Sequence, residues 1–133
     1  HSEFNDSKDD SVHFLQIWIH PDKAGDPPSY EQKNFAAEAK QDRLCLVASP
    51  TAKDGSIRVN ADARLYATVL RAGAKVTHTP EASRHTWIHV ARGQAIVAGT
   101  VLGAGDAVST SDTDALVIEG GEGGGEVLVF DLA

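Results

Sequence analysis

Short runs of β-branched, aromatic and aliphatic residues recur along the whole chain, each closed by Gly, Pro, Asp or Asn. That rhythm limits the fold to an all-β sandwich or closed barrel, because no strand–helix–strand alternation is present. The first run, residues 12–20, ends at Pro21. Val12, Phe14 and Trp18 oppose Leu15, Ile17 and Ile19, so both faces are apolar. A strand buried on both sides, or one passing between sheets, is predicted there. Pro27 and Pro28 then precede a predicted short strand at 30–33, and residues 34–42 support a helical turn or two. Strands are predicted at 44–48, 57–60 and 64–70, with a turn at 53–56. The second half repeats the pattern at 86–91, 95–98, 115–119 and 126–132, with a turn at 103–106. The glycine-rich stretch 120–125 reads as a flexible hairpin loop. No Lys-Ser/Thr and no helix follow it, so it is not a phosphate cradle.

At 133 residues the chain has the size of one domain. Its net charge of −7 argues against nucleic acid and anionic membranes as direct partners. No apolar run approaches the length of a membrane helix. Cys45 is the only cysteine and lies in the apolar run Leu44, Cys45, Leu46, Val47, where a buried small side chain is expected. A lone thiol suits a reducing compartment, and a cytoplasmic location is expected. The chain opens on His1 rather than Met, which is read as the continuation of something longer.

Histidines stand at 1, 13, 20, 78, 85 and 89, and one cysteine rules out thiolate zinc sites. Gly73, His78 and Pro80, continuing to His85 and Gly93, resemble the first motif of the cupin superfamily. There a Gly precedes a His-x-His pair on one strand, and a Glu follows on the next. Two residues apart on a strand point to one face, so both imidazoles would enter the barrel. Here His78 is present, Pro80 replaces the second His, and the Glu position falls near Arg84, His85 or Thr86. The second motif survives only as Gly99, Gly103, Ala104 and Gly105, with no His. His78 is therefore read as a residual cupin-motif position inside or at the rim of the barrel. No cofactor is expected in this barrel, since one ligand cannot hold a metal.

More of the chain resembles the pirin-like proteins, which are two-cupin proteins. The resemblance is carried by His1 to Asn5, by residues 14–19 and by 28–35. It continues through Ser49, Pro50 and 54–56, then 64–66, 87–93 and 126–132. Residues 16–19 (Gln-Ile-Trp-Ile) and Tyr30, Glu31, Gln32 with Phe35 are its most specific elements. It implies a cupin-type jelly roll, a double-stranded β-helix barrel with at most short helical turns. Residues 1–11 would continue from an upstream cupin, and 12–133 would form the C-terminal cupin-like barrel. In the family the N-terminal cupin binds iron or another divalent metal. The match makes His1 and Glu3 two of that metal's ligands, functional only together with the upstream domain. Because Asn5 and residues 12–20 continue the pattern, His1 and Glu3 read as native sequence rather than a vector remnant.

Two function classes follow from the resemblance. The chain is either the non-metal half of a metal-dependent quercetin 2,3-dioxygenase, inactive alone, or a non-catalytic protein-interaction module like the transcription cofactors among eukaryotic members. The expected partners are the upstream cupin or, for the isolated chain, a homodimer mate. A small-molecule ligand inside the barrel is a further expectation.

Overall fold

The computed structural model describes residues 2–133. One four-residue helix, α1 (Ala37–Lys40), precedes eight strands, with a 3-10 turn at Lys53–Gly55. The strands are β1 (Cys45–Ser49), β2 (Ile57–Arg58), β3 (Ala63–Leu70), β4 (Lys75–His78), β5 (His85–Val97), β6 (Thr100–Gly103), β7 (Ala107–Thr110) and β8 (Leu116–Leu132). They form one hydrogen-bonded network in the order β2-β1-β3-β8-β5-β6, with β4 on β8 and β7 on β5. β1 and β2 run parallel, and every other named pair is antiparallel.

Two long strands make the fold. The first part of β8 pairs with β4 and with the end of β5; its last part pairs with β3 and with the start of β5. The network therefore turns a corner along β8 and β5, which brings its two parts around one core. Ile88, Val90, Val127 and Val129 from one lobe join Val76, Val97, Leu102 and Ile118 from the other in a single core. Burying these side chains supplies the main drive for closure, at roughly 25 cal/mol per Å² of apolar surface removed from water.

The corner requires glycine. The stretch 120–125 is not a hairpin loop but the middle of β8, paired to Ala95 through Gly120 and to Gly93 and Leu70 through Gly125. A Cβ on Gly120 would collide with the Arg71 carbonyl oxygen, and one on Gly124 with that of Leu70. Three strand backbones meet here too closely for side chains, and the expected loop composition is a crossing point. β5 passes the same corner through register shifts between Val90 and Arg92 and between Gly93 and Ala95, so the two predicted strands 86–91 and 95–98 are one.

Residues 2–36 carry no helix or strand. The strands predicted at 12–20 and 30–33 are instead extended chain without a ladder partner. Lys33 Nζ donates to the Gly55 carbonyl at 2.6 Å, and the Arg58 amide donates to Glu31 at 2.9 Å. Asp22 accepts from the Asp62 amide at 2.5 Å and Arg92 Nε donates to His13 Nδ1 at 3.0 Å. These contacts strap the extended chain to the barrel.

Candidate functional site: a cupin barrel with its charges paired internally

In β3, β8 and β5, register decides which side chains share a face. Arg64, Asp131 and Thr86 lie in one inward row; Tyr66, Val129 and Ile88 lie in the next, and Thr68, Val127 and Val90 in the third. The deeper rows are apolar apart from the Tyr66 and Thr68 hydroxyls, and the row at the strand ends is polar. The end of β4 brings His78 to that same end, and the loop from β4 to β5 brings Glu81 and Arg84.

Arg84 organises this end. It is 8% exposed, and Asp131 is 2% exposed. Arg84 Nε forms a short contact with Asp131 Oδ1, and Nη2 donates to the Asp131 carbonyl at 3.1 Å. Its Nη1 donates to Asp62 Oδ1 at 2.8 Å. Arg64 Nη1 reaches Glu81 at 2.7 Å and Asp131 Oδ2 at 3.4 Å. A buried carboxylate is thus held between two guanidiniums, which offsets the desolvation of all three groups.

His78 is 5% exposed, and its ring lies 5.7 Å from that of Tyr66, tilted by 52°. Burial holds its pKa below the usual 6.5, opposed by the Asp131 charge and reinforced by Arg64. The imidazole is neutral at pH 7. Burial first, and Asp131 next, push the Tyr66 phenol upward, so it too is neutral. His78 Nε2 and Thr86 Oγ1 are buried and find no hydrogen-bond partner among the described residues.

These residues do not fit a metal. The one buried imidazole among the described residues is accompanied by two guanidiniums, and each Asp131 carboxylate oxygen is already engaged by one of them. Among the described residues no three His, Cys, Asp or Glu side chains converge as a cation site. His85 and His89 stand four apart, a spacing that serves zinc on a helix. On β5 it separates them by roughly 13 Å. His85 instead bonds Ser111 at 2.8 Å. His1 lies outside the described residues. Glu3 lines a shallow cleft with Phe14 and residues 15–19, far in sequence from the barrel's polar end.

Two cavities flank the sheet. One, of about 560 Å³, opens at the polar end between Leu44, Leu46 and Tyr66 on one side and the charged Lys53, Asp54, Asp62, Arg64 and Glu81 on the other. The other, of about 690 Å³, lies on the outer face between the strap at 15–20 and Trp87, His89, Leu128, Phe130 and Leu132. Register places Leu65, Phe130 and Trp87 in one outward row and Ala67, Leu128 and His89 in the next. This sheet is therefore apolar on both faces, as sheets covered on both sides are.

Sequence reasoning placed His78 in the barrel but missed the Arg84–Asp131–Arg64 network. Its signal was present in Arg84 standing at the motif's Glu position. The alternation Arg64, Tyr66, Thr68 along one strand pointed to the same inward row.

A β-barrel with a degenerate first motif defines the class: a cupin, with no metal cluster among the described residues. Residues 46–132 match the quercetinase C-terminal cupin domain, and the chain belongs to that family. It is 38% identical over 133 residues to the quercetin 2,3-dioxygenase of Escherichia coli, covering 99% of this chain and 55% of that enzyme. Among solved structures, YhhW from Escherichia coli superposes with a TM-score of 0.80 at 35% identity, over 87% of this chain and 48% of that one. A crystal structure of the bacterial pirin YhhW in complex with nickel(II) matches with a TM-score of 0.77 at 37% identity, over 86% and 48%. The chain spans about half the length of the curated relatives it matches.

Proposed function

We propose that this chain is the C-terminal, non-metal cupin of a metal-dependent dioxygenase acting on quercetin or a related flavonol. In this reading the barrel performs no chemistry. It covers and shapes a metal site carried by a second cupin, to which His1 and Glu3 contribute ligands, and the chain alone is inactive. The observation that carries the reading is the outward apolar face built from Leu65, Trp87, Leu128 and Phe130, overlain only by a strap whose Trp18 is itself 86% exposed. A barrel that worked alone would have a polar outer face there. Similarity to quercetin dioxygenases about twice as long, and to a nickel-bound relative, supports the same assignment. The metal is iron or another divalent ion. No described helix is long and apolar enough to cross a membrane; with one cysteine, the assigned compartment is the cytoplasm.

The test is expression of this chain alone and fused to an upstream cupin of a relative, followed by metal analysis and quercetin consumption. Turnover by the fusion but not by the chain is expected. Turnover by the chain alone would overturn the division of labour. A metal-loaded but quercetin-inert fusion would favour the protein-interaction role instead.

A further inference from the structure

We propose that His13 and Arg92 form a pH-sensitive clasp that holds the strap, residues 14–21, over the outer apolar face, and that acid opens it. Arg92 Nε donates to His13 Nδ1 at 3.0 Å, so the ring keeps Nδ1 unprotonated and carries its hydrogen on Nε2. A proton on Nδ1 removes the acceptor and sets an imidazolium against a guanidinium. Attraction then turns to repulsion. From β8, Glu126 stands 3.9 Å from Arg92 Nε. One carboxylate balances one cation, so a neutral ring suits the group and a charged one leaves an excess. Along the strap, residues 14–19 carry no titratable side chain, and upstream Asp10 is turned to Ser7.

The strap depends on this bond because so little else ties it. Among the described residues, 14–21 make no hydrogen bond or ion pair. The segment is held at its two ends. Asp22 fixes one, its amide donating to the Asn60 carbonyl at 3.0 Å and its carboxylate accepting from the Asp62 amide at 2.5 Å. His13 fixes the other. Between them Leu15 and Ile17 line the groove above Trp87 and Leu128, yet each stays 41% exposed. A segment with so few buried contacts opens at small cost. Imidazole is the side chain whose charge changes between about pH 5 and 8. The closed strap excludes a proton that the open strap accepts, so opening grows as pH falls.

The test places a thiol beneath the strap. Leu128→Cys in a Cys45→Ser background puts it on the outward face, outside the core. A bulky polymer-linked maleimide, too large for the groove, then labels it at a rate set by strap opening. Rates are taken at nanomolar chain concentration, and each is divided by that of the same chain carrying His13→Gln at the same pH. The division cancels the thiol's own titration, and Gln offers Arg92 an acceptor that does not titrate. The ratio is expected to rise about three-fold or more from about pH 7.5 to 5.5, the effect of losing one exposed hydrogen bond. Arg92→Gln, whose amide donates to the neutral ring or accepts from the charged one, should hold the ratio flat. His20→Gln and His89→Gln, which alter the other imidazoles lining the groove, should leave the rise in place, as should Asp22→Asn. A constant ratio would overturn the proposal. So would a rise that survives Arg92→Gln or one that vanishes with His20→Gln, His89→Gln or Asp22→Asn.

Discussion

Asp131 is the residue on which the polar end depends, because its carboxylate is buried and its two cations come from separate places in the chain, Arg64 from β3 and Arg84 from the loop before β5. Removing one partner leaves a charge without water or a full counter-charge. Arg84→Met should therefore cost about 3–5 kcal/mol of stability, read from denaturant midpoints. The double variant Arg84→Met with Asp131→Leu should recover much of that loss, since the charge and its desolvation disappear together. His78 gives this end a pH dependence of definite sign. Its folded pKa lies below the unfolded value of 6.5, so the unfolded chain binds the proton more readily. The contribution is fully present above about pH 6.5 and is lost as pH falls towards the folded pKa. Urea midpoints measured between about pH 7.5 and 5.5 should decline, and His78→Gln should flatten that part of the decline. A residual imidazole was legible from the Gly73-to-Pro80 motif. Its lack of a partner was not, because that depends on what the β4–β5 loop and β8 bring across the barrel.

At the level of elements, most of the strands follow from local chemistry, and the failures are instructive. Residues 64–70 and 126–132 read correctly because their β-branched content matches their place in the sheet. The glycine-rich stretch reads as a loop by composition, yet strand β8 runs through it. Glycine there serves close approach between backbones that are distant in sequence, which no local window contains. The two readings differ in a measurable way. If 120–125 were a loop, alanine would be tolerated throughout. In the observed fold Gly120→Ala drives a methyl into the Arg71 carbonyl and should cost about 3 kcal/mol or more. Gly123, with φ +76 and open space around it, should lose only about 1–2 kcal/mol on the same change. Comparable thermal melts for the two variants would contradict the crossing. Residues 12–20 fail in the opposite sense. They have strand chemistry, but no described strand offers them a ladder.

For the whole molecule, the outward face of β3, β8 and β5 and the strap above it carry one consequence. Phe4 is 87% exposed, Trp18 is 86% exposed, and Val12 and Phe14 are more than half exposed. Scattered apolar residues are ordinary on a surface, but a run with strand alternation beside a second apolar face is a different case. In water such a surface gains by covering itself, either against a second cupin or against another copy of the chain. The isolated chain should thus self-associate, most simply as a homodimer, at micromolar concentration by light scattering. Replacing Phe14 and Trp18 by Ser should shift it to monomer while changing its stability by no more than about 0.5 kcal/mol, since neither side chain belongs to the core. Fusing an upstream cupin should have the same effect on assembly, and should also move the emission of Trp18 to the blue as the indole leaves water. If the fusion still dimerises and Trp18 stays in water, this face serves contacts between copies, and the two-cupin reading loses its main structural support.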